Sequence, residues 1–143
     1  MQNLNYGVIG NCSTAALISE KGAIEWLCFP EFDSPSVFAA ILDRQKGGHF
    51  GFKVTSDYKV TQSYVPHTNI LSTHFESEEG AFDVVDFMPC YPTSDGKDFY
   101  RPAEIYRYIR WAKGRPRMKV DYRPAPNYAR GKTIYNVTSQ YVE

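Results

Sequence analysis

Residues 22–43, GAIEWLCFPEFDSPSVFAAILD, decide how the rest of the chain is read. The Lys21-Gly22 pair is a turn signal, and Ala23 to Phe29 is an extended run. Alternation sets Ile24, Trp26 and Cys28 on one face and Glu25, Leu27 and Phe29 on the other. Pro30 lacks a backbone N–H and stops any strand ladder. Ser34-Pro35 has the form of a helix start, with Ser34 as N-cap and Pro35 at the first helical position. Val37, Phe38, Ile41 and Leu42 would then share one side of a short helix over residues 36–42. Between strand and helix lies Glu31-Phe32-Asp33, an acidic and aromatic loop on a rigid mount.

Outward from this stretch, period two prevails over period 3.6. Upstream, Tyr6 to Ile9 and Thr14 to Ser19 are short apolar strands around the Gly10-Asn11 turn. Downstream, residues 48–54 alternate Phe50, Phe52 and Val54 against His49, Gly51 and Lys53. Residues 58–65, 69–76 and 81–88 continue as strands, the last two joined by the polar turn Ser77-Glu78-Glu79-Gly80. In the last of them Phe82, Val84 and Met88 share a face with Asp86, read as a buried, hydrogen-bonded structural group. Residues 89–102 form a loop long enough to be functional or mobile. Strands follow over residues 104–113 and 117–123, with a final candidate over residues 132–142. Nine or ten strands at this spacing, one early helix and no internal repeat predict an all-β fold, an antiparallel β-sandwich.

Length and composition agree. The 143 residues are a single-domain quantity. Sixteen basic residues balance sixteen acidic ones, so no broad electrostatic footprint for nucleic acid is expected. The cluster Arg107, Arg110, Lys113, Arg115, Arg117 and Lys119 is interrupted by apolar residues and is read as solvated strand faces. Cys12, Cys28 and Cys90 are odd in number and lack C-x-x-C spacing, which implies neither a disulfide framework nor a zinc site. The N-terminus has no basic region ahead of its apolar part, and no apolar run approaches a membrane span. A reducing cytoplasmic location, without membrane contact, is the expectation.

Candidate chemistry centres on carboxylates and rings. Glu25, Glu31, Asp33, Asp43, Asp83 and Asp86 lie near apolar or aromatic neighbours, and two suitably spaced carboxylates can run glycoside hydrolysis as acid and base. Asp33 before Ser34-Pro35 is read as an Asx-type turn at the helix entry rather than a ligand contact. Trp26, Phe29 and Phe32 flank the acidic loop, and a ring beside carboxylates is suited to holding a sugar; Trp26 and Phe29 equally suit a core. His49, His67 and His74 have no metal-ligand spacing, and no nucleophile elbow, P-loop or dinucleotide fingerprint occurs. No cofactor or metal is expected.

The blocks YGVIGNCSTAALIS (residues 6–19), GAIEWLCFPEFDSPSVFAAILD (22–43), GGHF (47–50), TNILSTHF (68–75) and DFMP (86–89) occur in unbroken order. Together they resemble the β-sandwich domain that precedes the helical catalytic domain in prokaryotic glycoside hydrolase family 15 proteins, the glucoamylase- and α,α-trehalase-like enzymes. The resemblance implies a supersandwich joined to an (α/α)6 barrel, whose two glutamates invert an α-glucosidic bond by acid and base catalysis. Both glutamates belong to the barrel, which is not among these residues, so no catalytic residue is assigned. Residues 1–143 are then an N-terminal, non-catalytic domain whose partner is the helical catalytic domain of the same polypeptide. Trehalose or another α-glucoside would be met through that domain. Trp26, Glu31, Phe32 and Asp33 are the implied contributors to the substrate rim. Glu31 stands where the family usually carries a basic residue, which exchanges donors for acceptors. Two other functions fit the residues: a free-standing carbohydrate-binding module, and a structural domain that mediates folding or homo-oligomer formation.

Overall fold

The computed structural model describes residues 4–55 and 57–142 and is built almost wholly of antiparallel strands. One sheet has the order β1 (Tyr6–Gly10), β2 (Ala15–Ser19), β3 (Ile24–Cys28), β5 (His49–Lys53) and β12 (Lys119–Arg123), with β4 (Ser36–Phe38) also paired to β3. The second has the order β11 (Tyr106–Gly114), β8 (Gly80–Phe87), β7 (Leu71–Glu76) and β6 (Lys59–Tyr64). A two-stranded ribbon, β9 (Tyr91–Pro92) and β10 (Phe99–Tyr100), lies within the expected long loop. The sandwich read from the alternation is present.

Alternation decides the second sheet. Leu71, Thr73 and Phe75 of β7, and Phe82, Val84 and Asp86 of β8, all point inward and are buried. Phe75 and Phe82 stack at 4.6 Å with rings nearly parallel, an arrangement worth about 0.5–1.5 kcal/mol beyond area burial. Opposite them, Phe50 and Phe52 of β5 close the core at tilted and edge-on angles. A second cluster joins Ile9, Ile18, Ile24, Leu27 and Phe38 with Leu71 and Met88 from the facing sheet.

Strict alternation fails on β3, because the strand bulges. Leu17 faces Trp26, yet Ile18 faces Ile24, so Glu25 is the extra residue. An extra residue reverses the inward phase. Ile24 and Leu27 are therefore both buried, and Cys28 is buried beside Leu27. A further shift against β4 pairs Leu27 with Phe38 and Cys28 with Ser36.

The helix expected over residues 36–42 does not form. Ser36, Val37 and Phe38 pair with the C-terminal half of β3 instead, which β5 leaves open beyond Ile24. Val37 and Phe38 are strand formers, and burial of Ser36 and Phe38 on one face outweighs the helix-start signal of Ser34-Pro35. Two turn bonds follow, from the Leu42 and Asp43 amides to the Ala39 carbonyl, before Asp43 Oδ1 caps the Gln45 and Lys46 amides. The short helix among the described residues is late, α1 (Pro126–Ala129), and Asn127 and Tyr128 take left-handed dihedrals within it. The final strand expected over residues 132–142 is also missing; a single bridge joins Val137 to Val142.

Arg107 corrects another expectation. It is not a solvated strand residue but only 3% exposed, and its partner Asp86 is fully buried. Arg107 Nε donates to Asp86 Oδ1 at 2.7 Å and Nη2 to Oδ2 at 3.1 Å. The remaining donors reach the carbonyls of Phe50 and Gly22 in the other sheet. The guanidinium lies over the Phe50 and Phe52 rings, 4.7 and 5.0 Å from their centroids. Burial pushes the Asp86 carboxyl up, and Arg107 pulls against that shift.

Removing one member of such a pair leaves a buried, uncompensated charge. Arg107→Ala is expected to lower unfolding free energy by about 3–5 kcal/mol, measured by urea titration. A loss under about 1 kcal/mol would show that the pair does not hold the sheets together.

Candidate functional site

The loop after β3 is built on backbone hydrogen bonds. The Phe29–Pro30 peptide is cis. Phe29 N–H donates to the Pro35 carbonyl at 3.4 Å, and Ser34 N–H to the Glu31 carbonyl at 3.1 Å. Ser34 is not a helix cap; its Oγ accepts from Glu31 N–H at 3.1 Å. Phe32 N–H reaches across to the Ser13 carbonyl at 3.0 Å. Ser13 is itself held in the β1–β2 turn, where Asn11 Oδ1 accepts from Ser13 N–H at 3.1 Å and Thr14 N–H at 3.2 Å. Asn11 is buried and its amide donates to the Pro102 carbonyl. Thr14 Oγ1 donates to the Cys28 carbonyl at 2.5 Å, tying the same turn to the end of β3.

The loop thereby holds Glu31, Phe32 and Asp33 outward. All three are exposed, Phe32 at 63%. The Asp33 carboxylate makes no hydrogen bond among the described residues, so the expected Asx-type turn is absent and both its oxygens face solvent. Trp26 is set apart on β3, half-buried, with its ring 6.3 Å from that of Tyr128. Tyr128 comes from α1, docked by its own N–H on Ser36 Oγ at 2.9 Å, with its hydroxyl 3.9 Å from Cys28 Sγ. Trp26 is thus packed against a late segment, while the loop supplies two acids and one ring.

The remaining acids have structural partners. Glu25 accepts from the Tyr6 hydroxyl at 2.6 Å, and burial together with this bond pushes the phenol up to about 12. On the outer face of the first sheet, Asp121 meets His49 at 3.1 Å, Lys53 at 3.0 Å and Arg123 at 2.8 Å. The register explains this: Asp121 faces Gly51, so His49 and Lys53 are its diagonal neighbours on β5. On the outer face of the second sheet, Asp83 bonds His74 Nδ1 at 2.6 Å and Arg110 Nη2 at 2.8 Å. Burial works against the charge of both acids, but their cationic neighbours outweigh it and hold both carboxyls below the ordinary range. Sequence spacing hid both clusters, because every pair except Asp121–Arg123 spans two strands. No group of His, Cys, Asp and Glu suited to a metal occurs among the described residues.

These clusters are ion-pair networks whose carboxylates are taken up by basic neighbours, and the loop is an exposed acid pair. Hydrolysis needs two opposed carboxylates around an enclosed bond. What the loop can do chemically is accept hydroxyl hydrogen bonds and offer one ring to a ligand held by something else.

Both depressed acids have folded-state values below their unfolded ones. The stability they add is full above about pH 4 and is lost as pH falls through the folded values. Urea midpoints should hold steady from pH 7 to 5 and drop below about pH 4. Asp121→Asn should flatten part of that drop, and an unchanged acid slope in the variant would contradict the assignment. Asp86 is common to both proteins and cancels in the comparison.

The profile of the family described as "Trehalase-like, N-terminal" matches residues 5–141. The chain is 36% identical over 132 residues to a trehalase of Thermoplasma volcanium, covering 90% of this chain and 20% of that relative. It is 51% identical over 85 residues to trehalase 1 of Sulfolobus acidocaldarius, covering 58% and 14%. It is 40% identical over 95 residues to a trehalase of Mycolicibacterium smegmatis, covering 64% and 14%. The chain thus spans at most about a fifth of the length of these relatives. No solved structure matches it.

Proposed function

The chain belongs to the trehalase-like N-terminal domain family, and from that premise we propose that it is the non-catalytic entry module of an α-glucoside hydrolase. It packs against a helical catalytic domain of the same polypeptide and lends the loop after β3 to the rim of that domain's active site. Trehalose is the substrate favoured by the relatives' names. The observation that carries this reading is the outward, hydrogen-bonded loop itself. Its backbone is tied to Ser13, Pro35 and Ser34, while Asp33 and Phe32 are left facing solvent.

The chemistry suits a rim. An unpaired carboxylate accepts two sugar hydroxyls, and an exposed ring covers a C–H face. Fixing the loop in advance removes part of the ordering cost of binding. Three free thiols, one of them the buried Cys28, suit a reducing cytoplasm.

A second reading, a sugar-binding module in its own right, has one observation in its favour. Tyr91 and Tyr100 face each other across the β9–β10 ribbon, and both are exposed. Tyr106, also exposed, stacks on Phe87 at 5.1 Å on the outer face of the second sheet.

In the intact polypeptide, Asp33→Ala should raise KM for trehalose roughly tenfold, the worth of one charge-assisted hydrogen bond of about 1.5 kcal/mol. The thermal midpoint should not move. An unchanged KM would remove the rim role, and calorimetric heat from trehalose binding to the 143-residue chain alone would favour the second reading.

A further inference from the structure

The two sheets end together on one flank. Among the described residues β11 pairs only with β8, and β12 only with β5, so both are edge strands, joined through residues 115–118 after Gly114. Beyond the buried Arg107, four of their inward-facing side chains are left partly uncovered. Trp111 lies across from Phe82 and Ile109 across from Val84. Phe82 and Val84 are wholly buried, yet Trp111 is 67% exposed and Ile109 40%. Val120 and Tyr122 of β12 face Phe52 and Phe50 and are likewise exposed. Beside them runs an apolar groove of about 490 Å³, lined by Leu27, Phe38, Phe50, Ile105 and Tyr122 among others. A nine-residue edge with unpaired N–H and C=O groups above an open apolar core is the arrangement that folded proteins cover.

We propose that this flank receives an added strand: an extended segment of the longer polypeptide pairs with the free edge of β11 and seats apolar side chains over Ile109, Trp111, Val120 and Tyr122. This rests on the reading just given, in which the domain is joined to a larger chain. The relatives' length supports the source, since the matched region is 14 to 20% of each of them. Charge specifies the segment. Residues 106–117 contain Arg107, Arg110, Lys113, Arg115 and Arg117 and no carboxylate. Arg107, Arg110 and Lys113 are matched by Asp86, Asp83 and Glu76. Arg115, Arg117 and Lys119 are exposed and have no carboxylate partner among the described residues. The incoming strand therefore alternates apolar residues with acids near the Gly114 end.

A second copy of this chain fits less well. A second copy paired through β11 brings Arg115 and Arg117 no carboxylate from its own residues 106–117. Strand addition by a different, acidic segment obtains main-chain hydrogen bonds along β11 and side-chain specificity from the groove.

Hydrogen exchange by mass spectrometry separates the possibilities, comparing peptides over residues 106–114 in the 143-residue chain and in the intact polypeptide. The proposal expects exchange at least about tenfold slower in the intact polypeptide, an opening cost greater by about 1.4 kcal/mol. Trp111→Lys should abolish that difference while leaving the thermal midpoint of the 143-residue chain nearly unchanged, because Trp111 is already in solvent. Equal exchange in both proteins would overturn the proposal. So would protection of the short chain that grows with concentration alongside a dimeric sedimentation mass, since the occupant would then be a second copy. Shielding of Trp111 from a fluorescence quencher with edge amides still fast would mean face packing without strand addition, and would overturn it too. The rim role is read separately, through KM of the Asp33→Ala variant.

Discussion

The Asp86–Arg107 pair is the constraint on which the rest of the structure depends. A buried carboxylate and guanidinium are costly to desolvate, and the pair persists only where every donor finds an acceptor. Here the acceptors come from both sheets: Asp86 from β8, and the carbonyls of Phe50 and Gly22 from the first sheet. One side chain therefore fixes the spacing of the two layers and their lateral alignment. Gly22 is part of the same requirement. Its φ of +72° aims the turn carbonyl inward, and a Cβ there would meet Phe75 and Thr73 at 3.1 and 3.2 Å. Because Ile24 pairs with Phe50 two residues later, the clamp also sets where β3 begins. The strand carrying the exposed loop is thus referenced to the buried pair.

The β-sandwich was legible because period two is written plainly in the chain. Phe50 and Phe52, Leu71 to Phe75, and Phe82 to Asp86 all lie where alternation puts them, and Asp86 is the buried group that its neighbours suggested. The partner of Asp86 was not legible. Arg107 sits among exposed bases in the sequence, and only the β8–β11 register brings it opposite the acid. Residues 36–42 misled for a local reason. Ser34-Pro35 and the apolar spacing state a helix, but an unpaired half-strand of β3 offered Ser36–Phe38 a better partner, and sequence periodicity cannot see a vacant strand edge. Residues 132–142 show the reverse case, strand-forming residues with no edge to join beyond one bridge.

The loop was visible as a break between Pro30 and Pro35, and its acids were visible with it. What holds it was not. The Asn11 turn lies some twenty residues upstream, and its buried amide takes part only because the chain returns from Pro102. Nor did spacing separate Trp26 from Asp33. The bulge at Glu25 and the arrival of Tyr128 from the far end of the chain do so. The carboxylates with basic partners, Asp83, Asp86 and Asp121, serve the sheets, whereas those of the loop, Glu31 and Asp33, are exposed. That division fits a module that presents groups to a neighbouring domain rather than one that performs chemistry.

The most direct measurement is a trehalose hydrolysis assay on the purified 143-residue chain alone. A presenting module releases no glucose above the buffer blank while its circular dichroism shows a folded β domain. Turnover that co-purifies with the chain and disappears on Asp33→Asn would contradict the account, because the loop would then be catalytic in itself.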